Sequence, residues 1–227
     1  QKAIKYIKKN YPSLLVIADL CNCQYTTHGH CGTIVDGDVD NDLTVKNLSK
    51  QAVSLVKAGA DVIAPSDMMD GRILNIRKSL DEKGFQKTPI FSYSIKYASA
   101  FYGPFRDAAN NSPSSGDRKT YQMNYKNSEE ALREVESDIN EGADAVIIKP
   151  ALSYLDIVSR VKRKFNIPII AYNVSGEFSM VAAASDNNWV ERVNIIFEIL
   201  ISMKRAGANA IISYHAIEIA EKLNKDV

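Results

Sequence analysis

The chain has 227 residues, 45% of them hydrophobic and 24% charged, enough to bury one sizeable core and predicting a single domain over 1–227. A formal net charge of +1 gives no electrostatic argument for nucleic acid or membrane as a partner, and no apolar run approaches the ~20 residues that cross a bilayer. No charged-then-apolar leader opens the sequence, so a soluble, cytoplasmic protein is expected.

In chain order, Lys2, Lys5, Lys8 and Lys9 recur around Ile4 and Ile7 at helical spacing and read as the wet face of a helix. Gln1 stands in the middle of that pattern without a cap, as expected of a start inside a larger architecture. Six apolar runs follow, predicted as strands over 14–19, 61–66, 89–94, 144–149, 168–173 and 209–214. Their continuous apolar character argues for strands covered on both faces, as in a parallel sheet. Helices are predicted near 43–58, 70–84, 126–141, 152–165, 189–206 and 215–225. Three helix-to-strand joins share one form, Ala58-Gly59-Ala60, Glu141-Gly142-Ala143 and Ala206-Gly207-Ala208, where glycine permits a left-handed cap before the next strand. The stretch 104–123 is rich in Asn, Ser, Pro and Gly without periodicity, and is expected to be a long loop acting as a lid. Asp36-Gly37-Asp38-Val39-Asp40-Asn41-Asp42 imitates the start of a calcium loop, but Asn41 and Asn47 occupy the places of its glycine and glutamate. A solvated turn, with Asp42 capping the next helix, is expected instead.

The chemistry-bearing residues gather in two patterns. All three cysteines, Cys21, Cys23 and Cys31, lie within eleven residues directly after the first strand. Three thiolates suit zinc, and three protein ligands leave a position open for water or substrate. His28 and His30 are alternative fourth ligands that would close the site; a disulfide is the other alternative, disfavoured by the odd count. The second pattern is the polar residues at strand ends: Asp19; Ser66 and Asp67; Ser94 and Lys96; Lys149; Tyr172 and Ser175; Tyr214. In parallel α/β architectures the carboxyl ends of the strands form the active face. If Lys96 and Lys149 meet at one barrel mouth, each lowers the other's pKa, and a neutral lysine attacks ketones to form a Schiff base. Arg106 and Arg118, on the lid, suit an anionic substrate.

These residues resemble one family. Asp19-Leu20-Cys21-Asn22-Cys23 with Thr27-His28-Gly29-His30-Cys31-Gly32 is similar to the cysteine-rich zinc segment of the porphobilinogen synthases, also called 5-aminolevulinate dehydratases. Ala64-Pro65-Ser66-Asp67-Met68-Met69-Asp70-Gly71-Arg72, Phe101-Tyr102-Gly103-Pro104-Phe105-Arg106-Asp107, the run from Gly142 through Lys149-Pro150-Ala151 with Tyr154, and Tyr172-Asn173-Val174-Ser175-Gly176-Glu177-Phe178 resemble four further blocks in order. The resemblance implies a TIM-barrel-like α/β fold built of βα units that condenses two 5-aminolevulinate molecules to porphobilinogen in tetrapyrrole and haem synthesis. It implies Lys149 and Lys96 as the Schiff-base lysines and zinc on Cys21, Cys23 and Cys31. It further implies Ser175 and Tyr214 on one substrate carboxylate and Arg106, Arg118 and Gln122 on the other, with Asp19, Ser66, Asp67, Tyr102 and Tyr172 lining the pocket. A homo-oligomer is also implied, and a magnesium ion at a separate site is left open.

The front of the chain departs from the pattern, because the family places two further βα units and an arm before the zinc strand. The expectation is therefore an incomplete barrel with six of the family's eight βα units, an open sheet with unpaired edges, and a large family assembly in doubt. A degenerate relative that binds metal or substrate without turnover is the alternative function. A Schiff-base lyase of the aldolase kind is a third, and it has no need of the thiolates.

Overall fold

The computed structural model describes residues 1–225. Helix α1 (Lys2–Asn10) precedes β1 (Ile17–Leu20); a hairpin of β2 (Ile34–Val35) and β3 (Asp38–Val39) leads into α2 (Asn41–Lys57). Then come β4 (Val62–Pro65), α3 (Arg72–Glu82), β5 (Phe91–Lys96), α4 (Gly103–Ala109), α5 (Glu129–Glu141), β6 (Ala145–Lys149) and α6 (Leu155–Lys164). The chain ends with β7 (Ile169–Asn173), α7 (Ser175–Asp186), α8 (Arg192–Ala206), β8 (Ala210–Ser213) and α9 (Ala216–Lys225).

Strand β1 pairs with β4, and β5, β6, β7 and β8 pair in that order, all parallel. A parallel bridge between Ile63 and Ile90, with Ile63 N donating to the Pro89 carbonyl at 3.1 Å, joins the two sheets into one arc. Strand alternation then sorts the side chains. Val146, Ile148, Ile169 and Ala171 face outward into a core shared with Val135, Ile157 and Val161 of α5 and α6. Leu20 and Ile63 do the same against Leu48, Ile73, Ile76 and Leu80 of α2 and α3. Ala64, Tyr93, Ala145, Ile147 and Ile170 form a separate inner cluster, and Tyr172 packs on it. The inward phase of β6 therefore runs Ala145, Ile147, Lys149, and that of β7 runs Ile170, Tyr172.

The six predicted strands are present, displaced by up to three residues at their ends, and Gly59, Gly142 and Gly207 all take positive φ at the joins. Two expectations are corrected, and two elements were not foreseen. The stretch 104–123 is not irregular throughout, because α4 occupies its start with Pro104 in the first turn, where a missing N–H costs nothing. Helix α7 was not predicted: Ser179, Ala182, Ala183, Ala184 and Ser185 give it no apolar period. The hairpin was not predicted either, since its strands are two residues each. Finally, Asp40 and not Asp42 caps α2, its Oδ1 accepting from Leu43 N at 2.8 Å. Asp42 lies inside the first turn. Among the described residues no helix is long and apolar enough to cross a membrane.

Candidate active site

The inward side chains at the carboxyl ends of the strands converge on Lys149. Its Nζ lies 4.2 Å from the ring centre of Tyr172, 5.4 Å from Tyr102, 5.5 Å from Tyr93 and 5.8 Å from Phe105. Burial among these rings, with Lys96 as a like charge nearby, moves the Lys149 ammonium from the ordinary 10.5 down to about 8. Lys96 reaches the same space because the β5–β6 register slips between Ser92 and Ile95. Strict alternation from the inward Tyr93 would turn Lys96 outward; the irregularity brings its Nζ to 5.9 Å from the Tyr93 ring. Lys96 also donates to the Ser66 carbonyl.

The expectation that each lysine lowers the other is half right. Burial pushes Lys96 down, but Cys31, Cys21, Cys23 and Asp19 outweigh it, and the net shift is upward. Beside the thiol cluster Lys96 keeps its charge, and only Lys149 is made a readier nucleophile.

Cys21, Cys23 and Cys31 are buried and free, and their sulfurs lie within 4.8 Å of one another. Tetrahedral zinc with Zn–S near 2.3 Å separates its sulfurs by about 3.8 Å, so this cluster fits such an ion with little adjustment. Hydrogen bonds from Cys21 and Cys23, helped by Lys96 and Arg118, hold the Cys31 thiol well below its ordinary range. The disulfide alternative is not realised. Neither histidine enters the cluster. His30 uses Nε2 on the Ser115 carbonyl (2.9 Å) and Nδ1 on the Tyr121 hydroxyl (3.1 Å), and His28 Nδ1 accepts from His30 N. The donor set is three thiols with an open position.

The remaining predicted residues divide by location. Tyr102 turns its ring to Lys149 and spends its hydroxyl on the carbonyls of Tyr97 (2.8 Å) and Lys149 (3.1 Å). Arg118 is buried, and Nη2 donates to the carbonyls of Gly29 (2.7 Å) and Asn111 (2.6 Å). Arg106 is half-buried with its guanidinium 5.9 Å from the Tyr102 ring, and burial and Arg118 push it below its ordinary range. Gln122 is buried with neither amide atom hydrogen-bonded, and Nε of Arg106 and of Arg118 is likewise unpartnered. Two arginines and an amide with spare donors are the chemistry a carboxylate requires. Ser175 opens α7, its Oγ accepting from Phe105 N (3.1 Å) and donating to the Phe101 carbonyl (3.3 Å). Burial, helped by nearby Tyr214, raises the Tyr172 phenol, and Tyr214 is 48% exposed on the β8 side. Asp19 points inward from β1 but is exposed, because β1 is an edge of the arc. Asp67 is directed elsewhere. Its Oδ1 accepts from Met69 N at 2.8 Å, its Oδ2 lies 3.7 Å from Arg72 Nε, and burial raises it to about 6.

Sequence reasoning missed Tyr93, Phe105 and Asn111. Tyr93 was hidden by the β5 irregularity, which makes Tyr93 and Lys96 share a face. Phe105 lies inside a block quoted above but carries no polar atom to draw attention. Asn111 donates to Cys23 Sγ at 3.5 Å from 88 positions away, and nothing local signals it.

Residues 1–222 match the family described as delta-aminolevulinic acid dehydratase. The delta-aminolevulinic acid dehydratase of Bacillus subtilis is 57% identical over 223 residues, covering 98% of this chain and 69% of the relative. That of Halalkalibacterium halodurans is 57% identical over 226 residues, 100% of this chain and 69% of the relative. Among solved structures, delta-aminolevulinic acid dehydratase (porphobilinogen synthase) of Toxoplasma gondii, in complex with the reaction product porphobilinogen, superposes with a TM-score of 0.98 at 46% identity. That match covers all of this chain and 65% of the other, so the chain spans just under two thirds of that protein's length. The arc is thus of TIM-barrel type. The carboxyl transferase domain of Rhizobium etli pyruvate carboxylase, at 14% identity and a TM-score of 0.53, is alike in fold alone.

Proposed function

The chain belongs to the delta-aminolevulinic acid dehydratase family, and on that premise we propose that it condenses two molecules of 5-aminolevulinate into porphobilinogen, a hydro-lyase step of tetrapyrrole synthesis. The observation that carries the proposal is Lys149: an amine brought to about 8 inside an aromatic cavity, with Lys96 and three thiols opening on the same space. The aldolase reading explains the lysines and leaves the thiols idle. The likeness to dehydratases along 98–100% of this chain, which spans 69% of each relative, favours turnover over a degenerate, binding-only relative.

In this reading the neutral Lys149 amine attacks the ketone carbon of the first substrate, and the carbonyl oxygen leaves as water as the imine forms. Lys96 binds the second substrate in the same way after giving up its proton. Ser175 and Tyr214 hold the first carboxylate; Arg106, Arg118 and Gln122 hold the second in a bidentate clamp. Tyr102 and Tyr172 exclude water around the Lys149 imine, Asp19 and Ser66 line the cavity, and Asp67 acts from beneath it through Arg72. Cys21, Cys23 and Cys31 are the residues that would hold zinc, whose chemistry there is Lewis-acid polarisation and a lowered pKa of bound water. The six parallel strands are read as six of eight βα units in one barrel domain over 1–227, acting in the cytoplasm. The family resemblance is the ground for reading a homo-oligomer, which light scattering tests.

The direct test incubates the protein with 5-aminolevulinate and zinc and assays the pyrrole product colorimetrically. Product above that of a Lys149→Ala variant is expected; its absence sinks the assignment.

A further inference from the structure

The lid and the cysteine loop are docked backbone to backbone. Arg118 ties the Gly29 carbonyl to that of Asn111, Ser114 N donates to the His28 carbonyl at 3.1 Å, and His30 reaches Ser115 and Tyr121. A Cβ added to Gly29 would stand 2.5 Å from the Ser112 carbonyl oxygen, so the two loops approach too closely for any side chain there. Asn111 lies at the centre of this contact. It is 1% exposed, its Nδ2 donates to Cys23 Sγ at 3.5 Å, and its Oδ1 has no hydrogen-bond partner. Burying an amide with half its polarity unsatisfied is costly, and a solvated surface position would avoid that cost. The bond it does make is strongest when the sulfur carries charge, as a metal-bound thiolate does.

We propose that Asn111 is a positioning residue for Cys23: its amide aims the sulfur at the centre shared with Cys21 and Cys31, so that metal binding and lid docking form one linked equilibrium. This rests on reading the three cysteines as the metal site. Whatever tightens the metal on docking must tighten docking on metal binding by the same factor. Because the lid carries Arg106, Arg118 and Gln122, the carboxylate clamp would then be held more firmly over a loaded metal site.

The test uses the full chain with Co(II) as the probe, following the sulfur-to-cobalt charge-transfer band and trypsin cleavage after Lys119, a lid residue whose side chain is 74% exposed. In the unaltered protein, cobalt is expected to slow that cleavage. Asn111→Ala is expected to weaken cobalt binding by about 10- to 100-fold, to move the band to lower energy because the sulfur loses a hydrogen bond, and to shift lid protection to correspondingly higher cobalt. Cobalt affinity within twofold of the parent and an unmoved band in Asn111→Ala would overturn the proposal, as would lid cleavage indifferent to cobalt in the parent. Should Asn111→Ala fail to fold, Asn111→Leu decides by the same readouts, since it fills the space but offers Cys23 no donor. No sulfur-to-cobalt band in the unaltered protein would instead count against the metal site itself.

Discussion

Tyr172→Leu should move the reactivity of Lys149 to lower pH, against the intuition that damaging an active site slows it. At about 8 instead of 10.5, the Lys149 amine is about 9% neutral at pH 7 instead of about 0.03%, a gain of roughly 300-fold in nucleophile. Burial and Lys96 supply that gain, while the aromatic faces oppose it by attracting the ammonium. The Tyr172 ring, with its centre 4.2 Å from Nζ, is the nearest of the four. A desolvated cation–π contact of this kind contributes about 1–2 kcal/mol, or about 0.7–1.5 pKa units. Leucine keeps the cavity apolar and removes the π face, so the pKa should fall to about 7 and the neutral fraction at pH 7 should rise to about one half. Tyr172→Phe keeps the face and should shift it by no more than a few tenths. Lys96→Met removes the like charge and should shift it upward. The assay is borohydride trapping of the 5-aminolevulinate adduct on Lys149, read by mass spectrometry, with initial rates at saturating substrate normalised to the alkaline plateau across about pH 6 to 10. An onset that stays put or moves upward in Tyr172→Leu refutes the claim that this ring holds the ammonium.

Two stability predictions follow from the same geometry. Arg72, 2% exposed, lies between Asp67 and Asp138 (3.7 Å each) and donates to Ser92 Oγ and the Tyr93 carbonyl. Arg72→Leu strands two buried carboxylates and should cost about 3–5 kcal/mol in the denaturant midpoint; a loss under about 1 kcal/mol would mean the network relaxes freely. Gly176→Ala, which in an ordinary helix adds about 0.5–1 kcal/mol of stability, should instead destabilise, because the new Cβ would sit 2.5 Å from the Phe101 carbonyl oxygen. It should also slow adduct formation on Lys149 by displacing Tyr102 and Phe105, and a thermally stabilised variant would contradict the packing.

How much of this was legible in the sequence depends on whether the signal was periodic. Continuous apolar runs mark strands covered on both faces, and all six emerge as strands in the structure. The glycine joins announce the βα repeat because a helix end needs a left-handed residue there. Helix α7 escapes because small residues at nearly every position leave no stripe to detect, although it presents Ser175. The face of Lys96 escapes for a different reason: a register irregularity is a property of two paired strands, and one strand's sequence does not encode it. The Asn111–Cys23 contact joins residues 88 positions apart and has no local signature at all.

The electrostatics of the cavity follow from which residues share it. Two lysines with no compensating charge would both be driven toward neutrality, and the site would lose its distinction between them. The cysteine cluster breaks that symmetry: its charge lies beside Lys96 and raises it, while Lys149, enclosed by Tyr93, Tyr102, Phe105 and Tyr172, is lowered. The thiols thus do more than offer a metal three ligands. In the proposed condensation this favours Lys149 as the first to react, since Lys96 must first lose its proton. The ordered, two-substrate condensation proposed above would use that asymmetry, because two equivalent nucleophiles in one cavity would load either substrate in either place. The β5 irregularity that turns Lys96 inward is therefore as much a determinant of the chemistry as either lysine, and it lies in the pairing of β5 with β6 between Ser92 and Ile95.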